Sequence, residues 1–253
     1  MPLGYTAGAT LVLQRPFTAT VTFTSVNSGT NFPSGSVVVV AVCWYVGTTG
    51  QGPTTVTIGG VTATQIFSAH DANVGVAFYY AVMPSAETDT VVLTDNTSSW
   101  NDVTIAAAIL TGAASTPTDN GSNITDPADP QGLATGINLP TGGVGIAANC
   151  VTNQSSTNVP TWVTTGNSAI TASGGDITSS EGSGHFTQLT LAHSTTANAA
   201  WVPQVNGSPA YSFTSVFGAI TWAASAGGGG SALASIAIPR KMFLPPKRKF
   251  YLR

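Results

Sequence analysis

Charge is what this chain has least of. Acidic and basic side chains make up 7% of its 253 residues, against about 25% in an ordinary globular protein. A surface so poor in Lys and Glu has little like-charge repulsion and few gatekeepers to keep neighbouring strands apart. Cysteine is also scarce. Cys43 and Cys150 are the two in the chain, which excludes a disulfide-dense scaffold and, with three histidines, any Cys/His metal spacing. No basic stretch precedes the first apolar run, so a secretory leader is not expected. No run of about 18 apolar residues occurs, so no membrane-spanning helix is expected. Helical periodicity is nearly missing, because 28 Gly and 15 Pro punctuate the chain and the apolar runs between them are short.

What remains is 42% apolar, with Thr, Ser, Asn and Gly as the polar partners. Thr suits a pleated surface, and Gly, Asn and Ser suit tight turns. Residues 18–25 (TATVTFTS) alternate cleanly, and residues 37–46 (VVVVAVCWYV) form the continuous apolar run of a strand buried on both faces. Strands at 55–58 and 62–67 flank Gly59-Gly60, a tight hairpin signal, and further strands are expected at 74–82, 89–94 and 103–110. Residues 111–140 read as a long polar connector. The pattern then restarts at 143–151 (GVGIAANCV), with a weak strand at 168–172 and others at 188–193, 199–202 and 216–223. Cys43 and Cys150 both lie late in an apolar strand that follows a Gly-containing turn. The reading is an all-β, two-sheet antiparallel sandwich, jelly-roll-like, with a C-terminal extended arm. Residues 1–17 are an N-terminal segment. Residues 18–226 are the sandwich, built from two interleaved half-repeats at about 18–112 and 140–224. Residues 227–253 are a Gly-rich linker and a basic arm.

No residues in this sequence assemble into a recognisable catalytic motif. His70, His185 and His193 sit in separate segments. Glu87 and Glu181 are in turn-like contexts, so no carboxylate pair is expected, and no G-x-S-x-G elbow occurs. Asp119, Asp126 and Asp129 cluster in an oxygen-rich connector, but their spacing matches no calcium loop, and an Asp/Pro turn is the plainer reading. Trp44 and Trp222 lie in apolar strands and belong to the core. Trp100, Trp162 and Trp201 pack either as core or rim or as a sugar-stacking platform, with Trp162 and Trp201 flanking turns. Cys43 and Cys150 are either buried thiols or, if the half-repeats bring their strands together, partners within the about 4.4–6.8 Å that a disulfide requires. Sequons at Asn96, Asn123, Asn153 and Asn206 carry little weight in so Asn- and Ser-rich a chain. No cofactor, metal site or enzymatic activity is expected.

The one sharp functional signal is charge segregation. Arg15 against ten acids leaves residues 1–239 at −9, whereas six cations and no acid put the last fourteen residues at +6. Such separation marks an interaction tail. The cations Arg240, Lys241, Lys247, Arg248, Lys249 and Arg253 are interleaved with Met242, Phe243, Leu244, Phe250, Tyr251 and Leu252. Pro245-Pro246 breaks any amphipathic helix, which removes a membrane surface as partner. Docking on an acidic partner, disorder, and nucleic-acid binding all fit the composition. Docking is the reading adopted, because the acidic body of a neighbouring copy is itself such a partner. Nucleic acid is the least favoured of the three.

The order of segments resembles a known group. A VVVVAV strand, a VTIGGVTATQI hairpin, VGVAFYYAVMPSAETDTVVLT and VTIAAAILTGA are followed by GGVGIAANCV and VFGAITWAA. Over residues 18–224 this is similar to β-sandwich structural proteins of tailed bacteriophages and related particles. The resemblance implies a virion component, either a capsid decoration, head spike, collar or tail protein, that self-associates and meets the major capsid or other virion proteins. It carries over no active-site residues. A carbohydrate-binding, lectin-like module that meets a host-surface glycan is the alternative.

Overall fold

The computed structural model describes residues 3–14, 19–46, 52–71, 74–95, 100–125, 131–153, 161–168, 170, 172–173, 177–178, 186–206 and 215–225. Within them strand predominates and no α-helix occurs. The first half comprises β1 (Gly4–Gln14), β2 (Thr20–Phe23), β3 (Val37–Val46), β4 (Thr55–Ile58), β5 (Val61–Thr62), β6 (Thr64–His70), β7 (Val74–Val82), β8 (Val91–Thr94) and β9 (Trp100–Thr111). The second comprises β10 (Asp119–Thr125), β11 (Gln131–Gly132), β12 (Ile137–Leu139), β13 (Val144–Asn153), β14 (Thr161–Trp162), β15 (Ala172–Ser173), β16 (Ile177–Thr178), β17 (Phe186–Ser194), β18 (Asn198–Trp201), β19 (Gln204–Asn206) and β20 (Ser215–Trp222). The all-β antiparallel sandwich expected from the sequence is what forms.

Two large sheets face each other, one ordered β1-β9-β3-β7-β6 and the other β10-β20-β13-β17-β15, with β16 also on β17. Small sheets back them: β2-β8-β4-β5 behind the first, and β12-β18 and β11-β19-β14 behind the second. This layering explains the apolar run in β3. Val38, Val40, Val42 and Trp44 enter the core under β2-β8-β4-β5, while Val37, Val39, Ala41 and Cys43 enter the core between the large sheets. In β13, Val144, Ile146, Ala148 and Cys150 join that same central core, and Ala147 points to the outer one. A strand with a core on each side has no solvent face, so its sequence does not alternate. The hairpin at Gly59-Gly60 also forms, with φ of +59° and +79° and Ile58 paired with Val61, positive angles that glycine adopts without steric penalty.

The half-repeats are closer copies than their sequences suggest, and they are segregated rather than interleaved. The orders β1-β9-β3-β7-β6 and β10-β20-β13-β17-β15 are the same circuit drawn twice, as are β2-β8 and β12-β18. Registers correspond as well. Val37 opposes Leu110 as Val144 opposes Trp222, and Cys43 opposes Thr104 as Cys150 opposes Val216. Interleaving is unnecessary because β3 finds both neighbours, β9 and β7, within its own half. Across the centre β3 lies on β13, β9 on β17, β7 on β20 and β6 on β10. That exchange pattern is what a pseudo-two-fold axis between the sheets, along the strands, produces. The interface is therefore isologous, like that of a symmetric dimer. Cys43 and Cys150, each the seventh residue of its strand, meet there as a disulfide with Cα atoms 5.8 Å apart.

Three expectations change. Residues 1–17 hold a long edge strand, β1, and the connector 111–140 holds β10, β11 and β12. The weak strand at 168–172 is instead a 3-10 turn at Gly166–Ser168 followed by the two-residue β15. Thr- and Asn-rich edge segments lack the apolar alternation that marks strands, because only one of their flanks is paired and much of their surface faces water.

Removing the cross-link by Cys43→Ala with Cys150→Ala is expected to lower stability by about 2–5 kcal/mol, since it releases a long closed loop in the unfolded chain. Its sequence separation is 107, and denaturant midpoints of the variant and the oxidised parent measure the difference. Gly218→Val is expected to loosen the same interface by about 1–3 kcal/mol. A β-carbon at Gly218, on β20, would lie 2.2 Å from Cζ of Phe67, on β6 of the other half.

Candidate functional site

The side chains that sequence reasoning singled out are mostly committed to the fold. All five tryptophans are buried: Trp44, Trp100, Trp201 and Trp222 are at most 1% exposed and Trp162 is 8% exposed. Trp162 sits edge-on against Phe217 at 5.6 Å, and Trp201 lies against Gly145, where a β-carbon would be 2.4 Å from its ring. The stacking platform drawn from Trp100, Trp162 and Trp201 is therefore not available on the surface. Turn-flanking sequence was misleading at Trp162 and Trp201, since the small sheets fold these residues inward over β13 and β20.

The carboxylates are equally occupied. Asp119 opens β10, and its carboxylate accepts from the backbone amides of Asn120 and Asn138, each at 2.8 Å. It staples the connector and does not gather with other ligands. Asp126 and Asp129 lie outside the described residues. Glu87 exchanges backbone hydrogen bonds with Phe32 and accepts from the Ser85 hydroxyl, while Glu181 is outside the described residues. Among the described residues no three His, Cys, Asp or Glu side chains converge. Asn123 donates its side-chain amide to the carbonyl of Gly132 at 2.8 Å, so it serves the fold. Asn96 is outside the described residues.

The histidines divide. His70 is exposed at the end of β6, with Nδ1 3.3 Å from the carbonyl of Asp71. His185 is outside the described residues. His193, on β17, stacks on Tyr5 of β1 at 3.8 Å between ring centroids, which joins the two halves. Its Nδ1 is buried with no hydrogen-bond partner. Desolvation lowers the His193 pKa below its usual value, and burial pushes the Tyr5 hydroxyl up to about 12. At a matching place beneath the seam, Tyr80 meets Trp222 edge-on at 5.6 Å. On the outer side of β7, Tyr79 is likewise raised to about 12 by burial and donates to the carbonyl of Pro53 at 3.0 Å. The aromatic seam between the halves is the feature sequence reasoning missed. Its signal was present, since Tyr80 and His193 each sit near the end of the strand that pairs with a cysteine-bearing strand.

The arm residues Arg240, Lys241, Phe243, Leu244, Lys247, Arg248, Lys249, Phe250, Tyr251 and Arg253 all lie outside the described residues. What the structure fixes is their point of departure. Ala224 bridges to Ala113, Ala114 N donates to Ala223 O at 3.0 Å, and Ser225 N donates to Gly112 O. The chain is thus pinned at the end of the molecule where β1, β3, β10 and β13 begin. No protein-family model, curated protein or solved structure matches this chain.

The His193 seam has a pH signature. In the unfolded chain this imidazole titrates near its usual 6.5, and in the folded chain it titrates lower, so below about 6.5 the unfolded state binds the extra proton. Stability is therefore full above that pH and falls as the medium is acidified through it. Thermal unfolding between pH 8 and pH 5 is expected to show this decline, and His193→Phe is expected to flatten it.

Proposed function

We propose that this chain is a virion structural protein of a tailed phage, a capsid decoration or other accessory head protein that self-associates and docks on the particle through residues 240–253. The observation that carries the reading is charge segregation, −9 over residues 1–239 and +6 over the last fourteen. An uncompensated basic segment beside an acidic body favours a partner that is acidic too, including a second copy of the same body. The resemblance of residues 18–224 to phage β-sandwich proteins supplies the setting, with the virion as its place and the major capsid or another virion protein as its partner.

The character of the body supports the same role. Its five tryptophans are buried in the internal cores or at their edges, and Val82 and Ile124 are the exposed large hydrophobics among the described residues. The solvent faces are hydroxyl and amide, which suit close packing of copies better than isolation at high concentration. A covalent tie between the halves suits a part that must keep its shape outside the cell, where disulfides persist.

Truncation after Ala226 tests the proposal. The shortened protein is expected to keep the unfolding transition of the body and to be absent from purified particles. Binding of the full chain to particles is expected to weaken as salt rises, because exposed charge pairs are screened within about 8–10 Å at physiological ionic strength. Normal incorporation of the shortened chain would sink the docking role.

A further inference from the structure

Among the described residues the two large sheets have four edges, formed by β1, by β6, by β15 and β16 together, and by β10, and three of these edges are defended. β1 carries a register break between Ala7 and Thr10, and β6 carries one between Gln65 and Phe67. β15 and β16 are two residues each. Bulges and brevity are the usual means by which a sheet edge is made unfit for further pairing. The fourth edge, β10, has neither. Its register with β20 runs unbroken from Asp119 to Thr125 over seven residues. Beyond Asp119 it has no charge and no proline in Asn120, Gly121, Ser122, Asn123, Ile124 and Thr125. It also carries Ile124, 47% exposed. In a chain otherwise careful with its edges, β10 is an unfinished one.

The occupant is indicated by where the chain leaves the fold. Asp119 pairs with Thr221, Ala223 N donates to the hydroxyl of Thr118 at 2.9 Å, and Ala224 bridges Ala113. Ala223 is therefore beside the start of β10, and two residues on, Ser225 is bonded to Gly112 at the end of β9. Its ladder with residues 112–114 cannot continue along β9, because Thr111 and Leu110 are already paired with β1 and Leu110 also with β3. After Ala226 the sequence continues Gly227-Gly228-Gly229-Gly230, a composition that lets a chain change direction freely. Next comes SALASIAI, residues 231–238, ended by Pro239. Eight residues suffice to lie along the seven of β10 at about 3.3 Å per residue. The eight steps from Ala223 to Ser231 reach up to about 26 Å, more than the about 10 Å that separate the line of β20 from the strand position beyond β10. Pro239, which has no amide to donate, closes such a strand.

We propose that residues 231–238 of the same chain add to the free edge of β10 as a further strand, parallel to it. The large sheet of the second half is thereby completed, and residues 240–253 are carried to the end of the molecule opposite Ser225. Ile236 and Ile238 supply apolar side chains for the otherwise exposed Ile124, and main-chain hydrogen bonds supply the rest, as in other cases of strand addition. The idea rests on the reading of residues 227–253 as an interaction segment and gives its first part an address on the body.

Amide hydrogen exchange across β10 in three proteins tests it: the full chain, a chain ending at Pro239 and a chain ending at Ala226. The expected result is exchange about tenfold or more faster in β10 of the Ala226 form than in the other two, with β1 unchanged. Should the shortest chain lose its fold, Ile236→Asp in the full chain is expected to give the same selective loss. Equal exchange in all three proteins overturns the proposal. So does protection found on β1 instead, or protection that vanishes on dilution of the full chain, which would make the occupant a second copy. The Pro239 form separates this idea from the docking reading. If it joins particles normally while β10 stays protected, the role of residues 240–253 in docking fails and strand addition stands.

Discussion

The apolar face shared by β3 and β13 is the constraint on which the rest of the molecule depends. Each strand is central in its own sheet, each is buried on both sides, and each places alternate residues in one common core. At about 1.5–3 kcal/mol for each large apolar side chain buried, that core is a large share of what holds the halves together. The cysteine pair adds a covalent tie at the pseudo-symmetric centre. The outer cores follow from it. A strand used on one face by the central core still has an apolar face behind it, and that face must be covered. The small sheets β2-β8-β4-β5, β12-β18 and β11-β19-β14 do so.

A sandwich with covers on both sides has spent its five tryptophans on packing. What remains to meet other molecules is the sheet edges, the connections at the strand ends and the charged terminal segment. Such a distribution suits an assembly part, in which specificity lies in edges and arms. Low charge on the body and high charge in the arm divide the labour. Under the proposed docking role, the low-charge body would be permissive toward neighbours and residues 240–253 would choose among them. The seam of Tyr5, His193, Tyr80 and Trp222 shows how two copies of one circuit have diverged: a stacked pair on one side is answered by an edge-on pair on the other.

Strand type was legible where burial is two-sided or alternating. Residues 37–46, 55–58 and 74–82 coincide with β3, β4 and β7 because apolar side chains recur at every position or every second one. The edge strands β1 and β10 were illegible for the complementary reason. GYTAGATLVLQ and DNGSNIT are held by pairing to β9 and β20, and neither carries a regular apolar alternation to announce it. The fate of the tryptophans was also hidden. A turn-flanking Trp162 or Trp201 reads as exposed until short strands, too brief to leave a sequence pattern, roll it against Phe217 or Gly145.

By itself the sequence determined the class of the fold, the two-part repeat with a cysteine in each part, and the separation of a basic segment from an acidic body. These are properties of composition and short-range period, and they survive without coordinates. Only the tertiary structure decided that the halves stand face to face rather than interleaved, that Cys43 and Cys150 pair, and that β10 has no strand on its outer edge among the described residues. Pairing across more than a hundred residues depends on which faces find each other in space, and apolar attraction, being non-directional, does not write that choice into any local stretch of chain.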